Sequence, residues 1–394
     1  MGYGDKTGKF FKKEERTCIK KHHRMEAASQ AHRTTAAIQN ACRRRNTGTS
    51  HSHNPLPASV GRQAPKDMFK FIKKIFHKMT YKEFEKERVE KLLHGTYMRA
   101  VFDTVMKTRQ TIDFHDYFDF SYNKNICFSS DYGGENDQSK YYAYTFTFHS
   151  YSSLDAWRAE LDKLRHEKGY VKPAEYKKID PDTRKGKLED WLKTSETNFK
   201  GIIVSFAVDK QIDSLFAPSI NDFHNAVSAE SHYSDCNLSP KILEKAFRIS
   251  HFSNLVLSQI LCDKYGYWWM TDKDSIAQGE DRWKFTVKIH DNTLRHYCEH
   301  LTDVTKGYST PFKKGAEPDY FSEDFLSLSD LISGSIDDFT NHKNGKTPEE
   351  LLSVLKPKSL EILTYLKKLP TFIYVLDKDE KGVNCKRVLI DVVE

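Results

Sequence analysis

One stretch constrains the fold of this chain more than any other: an apolar run that ends in a carboxylate and two glycines, followed by an alternating strand. Residues 126–135 read Ile-Cys-Phe-Ser-Ser-Asp-Tyr-Gly-Gly-Glu, and residues 141–148 read Tyr-Tyr-Ala-Tyr-Thr-Phe-Thr-Phe. In the second run every other residue is a large aromatic, which is the period of two of a pleated strand. The two runs predict a β-hairpin with Asp131 at its mouth. Taken alone, Asp131 is most simply a turn former.

The rest of the chain predicts alternating helices and strands, which is typical of an α/β fold. The predicted elements are helices at 68–79 and 80–91, a helix at 153–168, a short helix at 188–192, a strand covered on both faces at 201–209, a helix at 240–262, a strand at 267–271, a helix at 276–297, a polar strand near 299–305, a helix at 325–336, a helix at 348–369 that is broken or bent near Pro357, and strands at 371–376 and 383–392. No apolar run approaches the roughly 20 residues of a membrane helix. The N-terminus has no apolar signal region, so we expect a cytoplasmic protein without a membrane partner.

Charge divides the sequence into a basic arm and a nearly neutral body. Residues 1–66 hold 14 Lys and Arg against 4 Asp and Glu, whereas the whole chain has a formal charge of +7. A basic helix is predicted between residues 9 and 46, and a linker follows it. Such an arm suits the phosphate backbone of a nucleic acid, although a solvated tail that aids solubility explains the charge equally well. The candidate nucleic-acid-binding residues are Lys12, Lys13, Lys20, Lys21, Arg43, Arg44 and Arg45.

Three carboxylates stand at comparable places in this order of elements. Asp131 ends the first strand, Asp272 follows the strand at 267–271, and Asp330 lies in the first turns of the helix at 325–336. Three meander strands followed by alternating helices and strands are close to the order of a ribonuclease H-like fold, in which the first and fourth strands are neighbours and the last helix crosses beside them. The three carboxylates would then converge and, because like charges repel, would need divalent Mg²⁺ or Mn²⁺. Two such ions can activate a water and stabilise the leaving oxygen in phosphodiester hydrolysis. Individually, Asp272 and Asp330 are also explained as a loop residue and as a charge favoured near a helix N-terminus.

Four motifs carry a family resemblance: Asp131-Tyr132-Gly133-Gly134, Glu175-Tyr176-Lys177, Asp272 after the Trp-Trp strand, and Leu328-Ser329-Asp330-Leu331-Ile332-Ser333-Gly334. With them the chain resembles an uncharacterised, mostly bacterial family of ribonuclease H-like proteins with Asp-Glu-Ser-Gly, Glu-x-Lys and Leu-Ala-Asp-Leu-Ile-Ala-Gly motifs. The resemblance covers residues 123–342 and implies a metal-dependent nuclease that serves defence against phages or other mobile elements. The first motif lacks the Glu directly after Asp, and Glu135 could take its place. Lys177 is either a phosphate contact or solvated surface, and Asp274 could replace Asp272 if the strand ends later.

The sequence therefore predicts an α/β chain with a ribonuclease H-like mixed sheet flanked by helices. Its expected parts are a basic helical arm and linker at 1–66, flanking helices at 67–122, the ribonuclease H-like domain at 123–342, and a C-terminal helix and β-hairpin at 343–394. The catalytic and metal-binding candidates are Asp131, Asp272 and Asp330, with Glu135, Glu175, Lys177 and Asp274 as accessory candidates. Three interpretations stay open: a Mg²⁺- or Mn²⁺-dependent nuclease acting on DNA or RNA, a non-catalytic nucleic-acid-binding module, and a structural subunit with a protein partner in a defence or mobile-element complex.

Overall fold

The computed structural model describes residues 89–90, 93–169, 174–179, 188–231, 233, 237–262, 264–298, 304–310, 320–343, 346–380 and 382–389. The basic arm, with all seven of its candidate nucleic-acid-binding residues, lies outside these ranges, as does most of the helix pair predicted over 68–91. None of the described helices is long and apolar enough to cross a membrane.

Helices and strands alternate along the described chain. The helices are α1 (Met98–Thr111), α2 (Tyr151–Lys168), α3 (Glu189–Asn198), α4 (Ile220–Ala229), α5 (Pro240–Leu257), α6 (Glu280–Tyr297), α7 (Tyr320–His342), α8 (Pro348–Val354) and α9 (Pro357–Leu366). The strands are β1 (Asn125–Gly133), β2 (Tyr141–Ser150), β3 (Gly201–Asp209), β4 (Gly266–Thr271), β5 (Thr305–Ser309), β6 (Thr371–Asp379) and β7 (Gly382–Val388). Short 3-10 turns form at Phe114–Tyr117 and Tyr176–Lys178. The expected α/β class is confirmed.

The seven strands form one mixed sheet in the order β5-β4-β1-β2-β3-β6-β7. β1, β2 and β3 make an antiparallel meander, β4 runs parallel to β1, and β5 runs parallel to β4. The first and fourth strands are therefore neighbours, as the sequence predicts. β6 pairs with β3 in parallel and β7 pairs with β6 in antiparallel fashion, so the C-terminal hairpin extends the central sheet.

Alternate side chains of the strands enter two separate apolar cores. Phe128, Phe146 and Val204 pack against α1, α4, α5 and α6 on one face. Cys127 and Ile203 pack against α2, α3, α7 and α9 on the other. All nine residues of β3 are buried, which confirms the prediction that this strand is covered on both faces. The result is a three-layer arrangement of helices, sheet and helices.

The local structure departs from the predictions at three places. Asp131 lies within β1, paired with Thr145, because the strand continues to Gly133. The polar fifth strand is seen at Thr305–Ser309, where the Thr-Lys-Gly-Tyr-Ser sequence has no apolar alternation, while most of the predicted range 299–305 lies outside the described residues. Helix α4 was not predicted, although Ser219 caps it by accepting the N–H of Asp222. The break predicted near Pro357 is confirmed, because α8 ends before it and α9 begins at it.

Candidate functional site

The parallel pairing of β1 and β4 brings two of the predicted carboxylates to one place. Ser130 of β1 pairs with Thr271 of β4, and Asp131 and Asp272 each follow by one residue. Adjacent strands lie about 4.8 Å apart, so the two residues leave neighbouring strands at the same level. This end of the sheet, where β1, β3, β4 and β6 finish, is called the carboxylate edge below.

Helix α7 adds the third carboxylate because it packs directly on β1 and β2. Small residues allow the close approach: the hydroxyl oxygens of Ser129 and Ser329 lie 3.2 Å apart, and a Cβ at Gly133 would lie 3.1 Å from the carbonyl oxygen of Ser333. The Ser333 hydroxyl donates a hydrogen bond to Oδ2 of Asp131. Asp330 lies on the same helix, one turn before Ser333.

The charges of the three carboxylates interact. Burial raises the pKa of Asp131 to about 7, and the negative charges of Asp330 and Asp272 act in the same direction. Donation by Ser333 and the charge of Lys245 oppose that rise. Burial also raises the pKa of Asp330, to which the charge of Asp272 contributes. The structure thus places Asp131, Asp272 and Asp330, from three distant parts of the sequence, close enough for their charges to act on one another.

The Glu175-Tyr176-Lys177 turn lies against Asp330. The backbone N–H of Tyr176 donates to Oδ2 of Asp330 at 2.7 Å, which opposes the rise in the pKa of that carboxyl. The charges of Glu175 and Lys177 also act on Asp330, in opposite directions. Both accessory candidates of this turn are therefore beside the carboxylate cluster, with Lys177 exposed and Glu175 half-buried.

Two further contacts hold this turn in place. The Tyr176 hydroxyl lies 2.6 Å from the hydroxyl of Ser359, and the Lys358 ammonium donates to the Tyr176 carbonyl at 2.6 Å. The Tyr176 ring packs on Gly334, where an added Cβ would lie 2.4 Å from Cγ and Cδ1 of the ring. Glycine at position 334 is therefore what allows the turn to reach Asp330.

The other two accessory candidates belong to a separate ion-paired cluster. The ammonium of Lys245 lies 2.5 Å from Oε1 of Glu135 and 2.5 Å from Oδ2 of Asp274. It also lies 4.7 Å from the centroid of the Tyr132 ring. Lys245 is only 9% exposed and comes from α5, on the opposite face of the sheet from α7. Asp274 therefore does not replace Asp272 in the carboxylate cluster, and Glu135 is turned towards a lysine.

Sequence reasoning missed Lys245, although a signal for it exists. Lys245 lies at helical spacing from Ile249 and Phe252, which are fully buried. A lysine on the apolar face of a predicted helix must find carboxylates, because an unpaired buried ammonium is costly.

The cluster offers oxygen donors of the kind that hard divalent cations prefer. Within the described ranges, Oδ1 of Asp131 and Oδ1 of Asp330 accept no hydrogen bond, while their Oδ2 atoms are fixed by Ser333 and Tyr176. No group of three or more His, Cys, Asp or Glu in the described part of the chain is positioned to hold a metal ion as it stands. The exposed Asp272 side chain would have to turn inward to complete such a group. The donor chemistry fits Mg²⁺ or Mn²⁺, with Asp131 and Asp330 as the fixed pair.

No protein-family model matches this chain, and no curated protein is significantly similar to it in sequence. The carboxylate cluster, its hydrogen-bonding partners and its place at the sheet edge are therefore what indicates a function.

Proposed function

We propose that the protein is a ribonuclease H-like nuclease that hydrolyses phosphodiester bonds of DNA or RNA with Mg²⁺ or Mn²⁺. The observation that carries the proposal is the interaction of Asp131 with two other carboxylates: burial raises the pKa of Asp131 to about 7, and the charges of Asp330 and Asp272 act in the same direction. Such a cluster costs stability unless a cation neutralises it. Perturbed carboxylates of this kind concentrate at functional sites.

The topology supports the same proposal. An antiparallel β1-β2-β3 meander with β4 beside β1 and β5 beside β4 is the strand order of the fold that the sequence resembles. Helix α7 packs on β1 and β2, as expected for the last helix of that fold. β6 and β7 lengthen the sheet at the β3 side, away from the carboxylates.

Each residue of the site has a distinct role in the proposed reaction. Bound divalent ions would supply an activated water and stabilise the leaving oxygen. Asp131, Asp272 and Asp330 would hold those ions. Ser333 holds Oδ2 of Asp131 and the Tyr176 N–H holds Oδ2 of Asp330, so the Oδ1 atoms, which accept no hydrogen bond from the described residues, would be available to the ions.

The surroundings of the cluster supply the remaining groups. Lys177, exposed beside Asp330, is suited to contact a phosphate of the substrate. The basic arm, through the seven residues named above, would contact the phosphate backbone of the nucleic acid. A role in defence against mobile elements follows from the family resemblance.

The test is cleavage of labelled single- and double-stranded DNA and RNA with Mg²⁺ or Mn²⁺. We expect Asp131→Asn and Asp330→Asn each to reduce the rate about 100-fold or more. Asp155→Asn, a change of equal charge at an exposed position in α2, is the matched control and should cut at the wild-type rate. Asparagine keeps the shape of the side chain, so we expect both variants to fold, and thermal unfolding checks this.

The opposite outcome is equally informative. If the intact protein binds these nucleic acids but cuts none of them with either metal, and if Mn²⁺ leaves its melting temperature unchanged, the site is non-catalytic. The protein would then be a nucleic-acid-binding module.

A further inference from the structure

The carboxylate edge continues past β1 as a row of lysines. Lys140 directly precedes β2, Lys210 directly follows β3, and Lys378 lies near the end of β6. The backbone N–H of Lys210 donates to the carbonyl of Lys140 at 3.0 Å. The parallel register of β3 and β6 brings Lys210 and Lys378 side by side. Three adjacent strands thus each present a lysine at the edge where β4 and β1 present carboxylates.

Lys343, which follows α7, joins this row. Its ammonium lies 4.9 Å from the centroid of the Tyr141 ring, and that of Lys140 lies 5.5 Å from the same centroid. Burial lowers the pKa of Lys343, and the charges of Lys140 and Lys386 act in the same direction against that of Asp377. Lys140, Lys210, Lys343 and Lys378 are called the lysine row below.

Half of the lysine row is paired with carboxylates. The Lys343 ammonium lies 3.4 Å from Oδ2 of Asp377. The Lys140 ammonium lies 3.9 Å from Oδ2 of the buried Asp209. These pairs fix the two side chains at the edge and leave each with further donor capacity, since an ammonium has three N–H groups.

The other half carries charge without a carboxylate partner. The Lys210 ammonium donates to the carbonyl of Asn136 at 2.5 Å, and that of Lys378 donates to the carbonyl of Gln211 at 3.2 Å. Neither forms an ion pair with any described residue, although the charges of Asp337, Asp137 and Glu135 act on Lys210 from a distance. Burial lowers the pKa of Lys210, and these three charges oppose that change.

We propose that the lysine row binds the phosphates of the nucleic-acid strand that the carboxylate cluster cuts. Five strands, from β4 through β1, β2 and β3 to β6, meet this edge, and at about 4.8 Å per strand they span roughly 19 Å. The part of the edge formed by β4 and β1 would hold the reacting phosphate, and the lysine row would hold the phosphates beyond it. That the bound strand is also the strand that is cut rests on the proposed function. The binding of phosphates by the lysine row does not depend on it.

The experiment measures the affinity of the full-length chain for a labelled single-stranded 20-nucleotide DNA and its RNA counterpart, in EDTA, over a range of salt concentrations. The variant is Lys210→Gln with Lys378→Gln, in which glutamine keeps an N–H donor for the backbone carbonyls. Each lysine that contacts a phosphate of a single strand contributes about 0.7 to the slope of log affinity against log salt. We expect the slope to fall by about 1.4 and the affinity at 0.1 M salt to fall about tenfold.

The matched control is Lys193→Gln with Lys368→Gln. These exposed lysines lie at the opposite edge of the sheet, on α3 and just before β6, and pair with Glu189 and Glu196. The control variant loses the same two positive charges. A difference between the two variants therefore cannot come from the long-range attraction of nucleic acid by net charge. It should keep the wild-type slope and affinity.

The outcomes separate the two proposals. An unchanged slope in the lysine-row variant, or an equal loss in the control, overturns the phosphate surface whether or not the protein cuts. A reduced slope in a protein that never cuts with metal keeps the surface and removes the nuclease. Equal weakening for DNA and RNA is expected, because phosphates carry no base identity; a loss confined to one would overturn a purely phosphate-binding row.

Discussion

The ammonium of Lys245 lies 2.5 Å from Oδ2 of Asp274, two residues after Asp272. The same ammonium lies 2.5 Å from Glu135, four residues after Asp131. One buried lysine therefore ties together the segments that follow β1 and β4, the two neighbouring strands that carry the carboxylates. It does so from the opposite face of the sheet to α7.

Replacing this lysine should destabilise the protein. In Lys245→Met both carboxylates lose their cation, and a fully buried pair broken in this way costs about 3–5 kcal/mol. Because Glu135 remains exposed to water, we expect a loss of about 2 kcal/mol in the free energy of unfolding, measured by urea denaturation. Lys241→Met, on the exposed side of the same helix, is the control and should change stability by less than about 0.5 kcal/mol. Equal effects of the two substitutions would show that the ion pairs contribute nothing.

Gly334→Ala tests whether the Tyr176 turn holds Asp330. Alanine normally stabilises a helix interior by about 1 kcal/mol relative to glycine. Here the new Cβ would lie 2.4 Å from the Tyr176 ring, so we expect a net loss of about 1–2 kcal/mol and slower metal-dependent cleavage as the Tyr176 N–H leaves Asp330. The measurement is urea denaturation together with the cleavage assay.

A double-mutant cycle supplies the control for Gly334→Ala. In a Tyr176→Ala background the ring is absent, and the same substitution should stabilise the helix. Destabilisation of equal size in both backgrounds would place the cause elsewhere in α7.

The place of each of the three carboxylates within its strand or helix was predictable from the sequence because it depends on local patterns. The period of two in β2 and the apolar run of β4 locate Asp131 and Asp272 near strand ends, and the helical spacing around Asp330 locates the third. The expectation that β1 and β4 are neighbours came from the ribonuclease H-like order of elements, and parallel neighbours end at the same edge of a sheet.

Contacts that join distant segments left no comparable pattern. The pairing of β6 with β3 joins residues more than 160 positions apart, and neither strand's composition specifies its partner. The capture of Glu135 and Asp274 by Lys245 depends on the position of α5 against the sheet. Sequence reasoning therefore assigned these two carboxylates to the accessory set, because the sequence shows which residues are charged but not which of them form ion pairs.

His149 should be replaceable by leucine with a gain in stability at acid pH. Its side chain is 1% exposed, and neither ring nitrogen has a hydrogen-bond partner in the described part of the chain. Burial lowers the pKa of His149 from 6.5 to about 3. The folded state therefore binds fewer protons than the unfolded state between these values, and stability is lost as pH falls below about 6.5.

The leucine variant removes this titration. At pH 7 we expect His149→Leu to be as stable as the wild type or more stable by about 1 kcal/mol, since an unpartnered polar group leaves the core. At pH 5 the difference in free energy of unfolding between the variant and the wild type should grow by about 2 kcal/mol. This follows from about 1.36 kcal/mol for each pH unit below about 6.5. The exposed His166→Leu is the control, and urea denaturation at both pH values is the measurement. An advantage that does not grow towards acid pH would contradict the burial of a neutral imidazole.

The carboxylate cluster should make the metal-free protein less stable at alkaline pH, with the opposite sign to His149. The pKa of Asp131 is raised to about 7 by burial and by Asp330, so between pH 4 and 7 the folded state binds more protons than the unfolded state. Stability contributed by the protonated carboxyl is present below about pH 4 and is lost as pH rises to 7. The raised pKa corresponds to a loss of at most about 4 kcal/mol in the free energy of unfolding at pH 8, and this loss is shared among the interacting carboxylates.

Asp131→Asn should therefore be more stable than the wild type at pH 8 in EDTA, with a difference that vanishes near pH 4. Added Mn²⁺ should reverse the order, because an ion that binds only the folded wild type stabilises it by mass action, whereas the variant lacks a ligand. Asp155→Asn should follow the wild type under every condition, since that residue is exposed on α2. A difference between Asp131→Asn and the wild type that is independent of pH would mean that Asp131 is not strained by its neighbours. A variant that gains as much from Mn²⁺ as the wild type would remove Asp131 from the metal-binding set, even if cleavage were lost.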